Sequence, residues 1–301
     1  MAVACYFLFP YSLAFVTRVL IVMIFVLSLD LVLGYAGVAT LGHAALFGTG
    51  AYAAGLFALH ATASPILGLL VGACAASVVA FVSGLLLMRA HGLTVLMLSI
   101  AFAEVLQEIS NQAGSITGGA DGLAGFIMNP ILGIFEFDFI GQTGFWYVLA
   151  VLIAVFIFLK MVVASPFGLA ARGIHQSVVR MRAIGTGVYW KLVAIYTLSG
   201  AIAGIAGALS AQITELVSPE VFATSFSAEV VIMLILGGMG RLYGAIIGTA
   251  LFMVVHHTAA SVDPFNWLFV IGGLVLVVVF FVPAGLLALP AEIKRRMGRP
   301  T

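Results

Sequence analysis

Charge is what this chain has least of. Only 8% of its 301 residues are Asp, Glu, Lys or Arg, against 63% hydrophobic, where a soluble domain carries about a quarter charged residues. Water would not solvate a surface made from so few charges, which excludes a soluble globular protein. A mean hydropathy of +1.26 makes lipid the solvent instead. The net charge of +1 gives no electrostatic reason to expect a nucleic-acid partner. Cysteine is equally scarce. Cys5 and Cys74 both lie in apolar runs, and two such residues make neither a disulfide framework nor a metal site. His256-His257 lacks the third ligand that a metal site would need. The first basic residue is Arg18, so no charged n-region of a secretory signal precedes the first apolar run. Catalytic signatures are missing as well: no HExxH, no GxSxG in a span and no paired intramembrane Asp, which makes an intramembrane enzyme a poor reading.

What is present is a succession of apolar runs near the roughly 20 residues that cross a bilayer core. They predict an all-α, polytopic integral membrane bundle of about eight transmembrane helices, with residues 1–301 forming a single transmembrane domain. Tyr6–Pro10 is too short to cross, as in a chain lacking an initial span. Leu13–Leu33, Ile66–Met88, Leu93–Ile109, Phe145–Val163, Leu192–Ile213 and Trp267–Leu289 are full spans. Two shorter runs, 227–236 and 243–257, are joined by GGMGRLYG. Gly34–Leu56, with glycine at 34, 37, 42, 48, 50 and 55, reads as a glycine-broken or tightly packed helix. Each glycine costs a helix about 1 kcal/mol relative to Ala, and irregular backbone at membrane depth belongs in the protein interior.

Lys and Arg set the expected orientation. Residues 166–191, PFGLAARGIHQSVVRMRAIGTGVYWK, hold Arg172, Arg180, Arg182 and Lys191 and no acid, and the tail 291–301 is also basic. Both are expected in the cytoplasm. Segments 111–143, 214–226 and 258–265 hold only acids and are expected outside, so 227–257 becomes a hairpin dipping inward with Arg241 near the cytoplasmic face. The spans then alternate and place the N-terminus outside. Arg18 is the misfit. Within the basic island, residues 168–184 predict one short helix that closes at Gly185, with Ala171, Ile174, Val178 and Met181 on one face. An amphipathic helix of this kind lies in headgroups or docks in a protein groove; composition leaves the two level.

Intramembrane ionisable groups are functional candidates by default. Glu104, Glu108 and Glu229 lie near predicted span ends, where interface solvation accounts for them. Asp30 adjoins the glycine-rich break, so pairing or capping there is expected. Paired glycine-interrupted helices, here 34–56 and 237–250, point to a solute path, while small-residue packing explains most glycines singly. The candidates for lining that path are Asp30, Gly42, His43, Gly48, Gly50, Tyr52 and Asp121, with His43 read as a satisfied interior histidine. Thr117–Gly122, TGGADG, lacks the Gly-Lys-Ser/Thr ending and preceding strand of a phosphate loop and reads as a tight turn capping a helix.

Gly168–Leu209, GLAARGIHQSVVRMRAIGTGVYWKLVAIYTLSGAIAGIAGAL, resembles the coupling-loop region of branched-chain amino acid ABC transporter permeases of the LivM type. The stretches LDLVLGYAGVATLGHAALFGTGAYAAGL (29–56), ITGGADGLAG (116–125), GGMGRLYGAIIGTAL (237–251) and FVPAGL (281–286) agree, in the right order. The resemblance implies a permease subunit in the bacterial inner membrane that pairs with a second, paralogous permease. It also implies two cytoplasmic ATPase subunits and a periplasmic substrate-binding protein. The permease itself would hold no cofactor, ATP being bound by the partners. It implies further that 166–191 is the cytoplasmic coupling loop, with Arg172, His175, Arg180, Arg182, Gly185 and Lys191 as its contact residues. Many relatives carry acids where this chain has His175-Gln176-Ser177. The expected cargo is a branched-chain or other hydrophobic amino acid, or a related small polar solute such as urea. The competing reading is a self-contained secondary transporter driven by protons or Na⁺ through Asp30, Glu104 and His43; no line of mid-membrane acids supports it.

Overall fold

A computed structural model describes residues 13–130 and 141–262, with Phe269, Gly272, Gly273 and Leu276 beyond them. Tyr6–Pro10, Glu136, Asp138, the span expected at 267–289 apart from those four residues, the FVPAGL stretch and the basic tail lie outside the described residues.

The long apolar runs form helices: α1 (Leu13–Asp30), α2 (His43–His60), α3 (Pro65–Leu87), α4 (Leu93–Gln112) and α5 (Gln142–Ala164). The basic island forms α6 (Pro166–Gln176) and α7 (Val178–Ala183), and α8 (Val188–Thr214), α9 (Thr224–Gly237) and α10 (Leu242–Val262) follow. Six helices among the described residues are long and apolar enough to cross a membrane, α1 being extended to Tyr35 by a π-helical turn; α9 is a shorter apolar helix. The expected count of about eight is approximate. The molecule is a polytopic helical membrane protein.

Two helices form the centre. Of the most apolar stretch of α1, 83% of residues are buried inside the protein, and 67% for α8, against 22–33% for α3, α4, α5 and α10. Helix α8 packs between α1 on one side and α2 and α3 on the other, while α1 is also ringed by α5, α9 and α10. The α2–α3–α8 seam is built from small residues. Helix α3 buries Gly68, Gly72, Ala76 and Ala80, a stripe with a period of four that lies on one helix face. A side chain on Gly204 of α8 would strike Ala76 and the Gly72 carbonyl, and one on Gly50 of α2 would strike the Gly204 backbone. The outward faces of α3 and α4 expose Leu70, Val78, Val82, Leu86, Met97 and Val105, as a lipid-facing or subunit-facing surface must.

The described charges segregate. Arg89, Lys160, Arg172, Arg180, Arg182, Lys191 and Arg241 lie at one end, together with a single carboxylate, Asp30. Glu104, Glu108, Asp121, Glu215, Glu220 and Glu229 lie in the other half, with Arg18. At this acid end α4 runs into a helical turn, a 3-10 turn (Gly119–Asp121) and a two-residue strand β1 (Leu123–Ala124). This strand pairs antiparallel with β2 (Leu216–Val217), Leu123 opposite Val217, so part of the loop 111–143 is folded as a cap over α2 and α8. TGGADG is a turn with positive φ at Gly118, Gly119 and Gly122.

One expectation is sharpened and one corrected. Gly34–Leu56, expected as a broken or tightly packed helix, is both: a π-helical turn and irregular backbone run over residues 31–42, and Gly48, Gly50 and Gly55 lie inside the continuous helix α2, where they allow close packing. The basic island is two helices rather than one over 168–184. The helical period runs through Ser177 unbroken, but its backbone is extended (φ −164°, ψ 105°) and its Oγ accepts the Arg180 N–H at 3.3 Å. A serine that caps the following turn overrides the apolar pattern on either side. Helix α6 begins earlier than expected, at Pro166, capped by Ser165.

Candidate functional site

Asp30 closes the helical part of α1 and is fully buried. Its Oδ1 accepts the backbone N–H of Gly240 at 2.8 Å, joining the π-helical turn Leu31–Tyr35 to the α9–α10 connection across 210 residues. The two glycine-rich stretches expected to be irregular therefore meet at one carboxylate. Gly34 is required by this approach, because a Cβ there would overlap both the Asp30 carboxylate and the Gly240 nitrogen. The second carboxylate oxygen is buried without a hydrogen-bond partner.

The basic island is attached to the same turn. His175 Nδ1 lies 3.1 Å from the Gly34 carbonyl oxygen, and the Arg172 guanidinium sits 5.0 Å from the centre of the Tyr35 ring, a cation–π geometry. Lys191 Nζ is 5.4 Å from the Phe167 ring centre, tying the end of the island to its beginning. Ala171 and Ile174 are buried against the bundle, whereas Arg180, Arg182, Val179, Ile184 and Gly185 are exposed. Helix α6 is thus the anchored half and α7 the uncovered half. Between them and residues 36–39 and 88–92 lies a cleft of about 650 Å³, open at the basic end and lined by Gly37, Arg89, His91, His175, Arg182 and Tyr189.

The other candidates are placed elsewhere. His43 is fully buried at the start of α2, with Nε2 2.9 Å from Ser28 Oγ and 3.2 Å from Ser199 Oγ; Ser199 in turn donates to the Ser28 carbonyl. This knot joins α1, α2 and α8 within the core. Gly42 abuts the Ser99 carbonyl, Gly48 the Phe222 ring and Gly50 the Gly204 backbone. Tyr52 stacks on Phe222 at 5.5 Å, and Asp121 is exposed in the acid-end cap. The structure therefore brings Asp30, Arg172 and His175 together and keeps Gly42–Tyr52 and Asp121 apart from them. Glu104 is two turns from the end of α4, which runs on to Gln112, and its Oε1 accepts the Thr224 hydroxyl at 2.7 Å. Tyr35 and Gly240 were not singled out from the sequence. Tyr35 carried no signal beyond its place one residue after Gly34.

A central pair of helices, small-residue seams, irregular backbone meeting at a buried carboxylate and an anchored basic element at one end make up a polytopic helical membrane protein whose basic end is tied to its core. The profile of the branched-chain amino acid transport system permease component matches residues 11–279. The chain is 27% identical over 298 residues to the high-affinity branched-chain amino acid transport system permease protein LivM of Escherichia coli (strain K12), covering 90% of this chain and 68% of that protein. It is 26% identical to the protein of the same name from Salmonella typhimurium, covering 94% and 72%. No solved structure matches it significantly. The chain belongs to the branched-chain amino acid transport permease family, whose members are transport subunits and not enzymes.

Proposed function

We propose that this chain is one of two paralogous permease subunits of a bacterial inner-membrane ABC importer for branched-chain or other hydrophobic amino acids. The basic end faces the cytoplasm, as Lys and Arg direct. Two cytoplasmic ATPase subunits bind the nucleotide, and a periplasmic binding protein delivers cargo to the acid end. Residues 166–191 are the coupling loop: α7 with Arg180, Arg182 and Gly185 meets the ATPase, and α6 passes its displacement to the bundle.

The observation that carries this reading is the attachment of α6. Arg172 and His175 grip the turn Leu31–Tyr35, and Asp30, immediately before that turn, holds the α9–α10 loop. A push on the island therefore reaches two irregular segments at once and changes the cleft that the island walls. That is a physical route for alternating access, because packed elements with two discrete arrangements convert small shifts into reorientation.

The test is reconstitution of the chain with its partner permease, ATPases and binding protein in vesicles. Leucine uptake should require ATP and the binding protein and should survive a protonophore. Uptake that needs neither partner and collapses with the proton gradient would establish the secondary-transporter reading instead.

A further inference from the structure

Arg18 breaks the charge pattern. Among the described residues it is the one Lys or Arg in the acid half, on the second turn of α1, with its side chain exposed. It lines a cavity of about 710 Å³ at the acid end, within the roughly 300–1,000 Å³ of small-molecule sites. The cavity collects walls from separate elements: Phe15 and Arg18 from α1, Phe47 from α2, Glu220 from the 3-10 turn Pro219–Phe222, and Phe226 from α9. Phe47 is buried, and Phe226 meets it edge-on with ring centres 5.4 Å apart, so the aromatic wall is held in place. Glu220 is exposed, free to turn its carboxylate toward the cavity.

A cation, an anion and an aromatic wall around one cavity complement a small zwitterion with an apolar side chain. Guanidinium matches a carboxylate in two parallel hydrogen bonds, a carboxylate takes an ammonium, and the phenyl rings take an aliphatic group. Resting on the permease reading above, we propose that this cavity is the outer receiving site for the cargo. It takes a neutral, aliphatic α-amino acid as its zwitterion, Arg18 holding the carboxylate and Glu220 the ammonium. The same arrangement excludes urea, which offers neither charge. It also gives Arg18, a misfit for orientation, a reason to stand at the outer end of α1. The charged or titratable neighbours of Arg18 on facing helices include Glu229, His256 and His257, the last lining the same cavity and stacking on Phe15 at 4.3 Å, so the competing explanation is that Arg18 only neutralises Glu229.

The assembled transporter in vesicles, supplied with leucine-loaded binding protein below saturation, separates the two. Arg18→Gln and Glu220→Gln should each lower leucine uptake about tenfold or more, the cost of losing a charge-assisted pair. Arg18→Lys should fall between, since a point charge lacks the bidentate fit. Glu108→Gln, at the same end but outside the cavity, should leave uptake unchanged, and co-purification of all subunits checks assembly of each variant. Under the proposal, Arg18→Gln combined with Glu229→Gln stays as low as Arg18→Gln alone; recovery in the double variant overturns it in favour of neutralisation. Unchanged uptake in Arg18→Gln and Glu220→Gln overturns the receiving site and leaves the permease reading standing. A parent complex that shows no ATP-dependent leucine uptake overturns both.

Discussion

Gly34→Ala is the sharpest probe of the junction between the two irregular segments. The added methyl has nowhere to go, since it would overlap both the Asp30 carboxylate and the Gly240 nitrogen. Those two atoms are themselves held together by a 2.8 Å hydrogen bond. Making room means parting them, which costs the bond, about 1.5–3 kcal/mol for one to a carboxylate. The strain of one extra methyl in a packed site adds about 1–3 kcal/mol. The expected loss is therefore about 2.5–6 kcal/mol. Asp30→Ala removes one of the two obstacles but leaves the Gly240 N–H without its acceptor, at about 1–3 kcal/mol. Because the two substitutions act on one contact, their effects should not add: in the double variant, Asp30→Ala has already surrendered the bond and removed the nearer of the two obstacles. The assay is thermal denaturation of the purified complex, followed by monodispersity after heating, for parent, both single variants and the double variant. Gly34→Ala as heat-resistant as the parent, or a double variant equal to the sum of the singles, would refute the reasoning.

Three further outcomes are expected. Arg180→Glu with Arg182→Glu, both on the exposed half of the island, should leave membrane insertion intact and abolish co-purification of the ATPases; normal co-purification and uptake would count against α7 as the contact. Ser199→Ala removes the donor to the Ser28 carbonyl and a neighbour of His43, so stability should fall by about 1–2 kcal/mol, read as a lowered midpoint in the same heating assay. Cys74 is exposed on α3, ten residues into a 23-residue span. In a Cys5→Ser background it should resist a charged maleimide in intact membranes and react with a lipid-soluble one; rapid labelling by the charged reagent would place that face in water.

Hydrophobic length alone located α1, α3, α4, α5 and α8, because a span must be apolar whatever it packs against. The Lys and Arg spacing grouped the island with Arg241, and the structure gathers the described basic side chains at one end, Arg18 excepted. The glycines around 34 and 237 were read as irregular backbone, and the structure joins them. The sequence did not show that Asp30 is the joining group, because a hydrogen bond across 210 residues leaves no local pattern. Nor did it show the division at Ser177: the apolar period continues through that residue, and only the cap geometry decides the break. Glu104 reads as a span-end residue because polar residues follow it, yet helix α4 continues to Gln112 and leads into the cap. At Asp30 a contact from a distant part of the chain outweighed what neighbouring residues preferred, and at Ser177 a local side-chain cap outweighed the apolar period.

The sheltering of α1 bears on how the molecule is made. Between Arg18 and Asp30 this helix is apolar on nearly every side, with a mean hydropathy of 2.5 in its most apolar stretch, although in the finished protein it meets little lipid. The helices that ring it, α5, α8, α9 and α10, are synthesised after it. When α1 enters the bilayer none of those four helices has yet been made, and its greasiness serves that interval. Assembly then exchanges its lipid neighbours for protein, side by side, as the later helices arrive. Polar substitutions on α1 should therefore be punished twice, once at membrane entry and once at packing, whereas those on α4 face only the first hurdle.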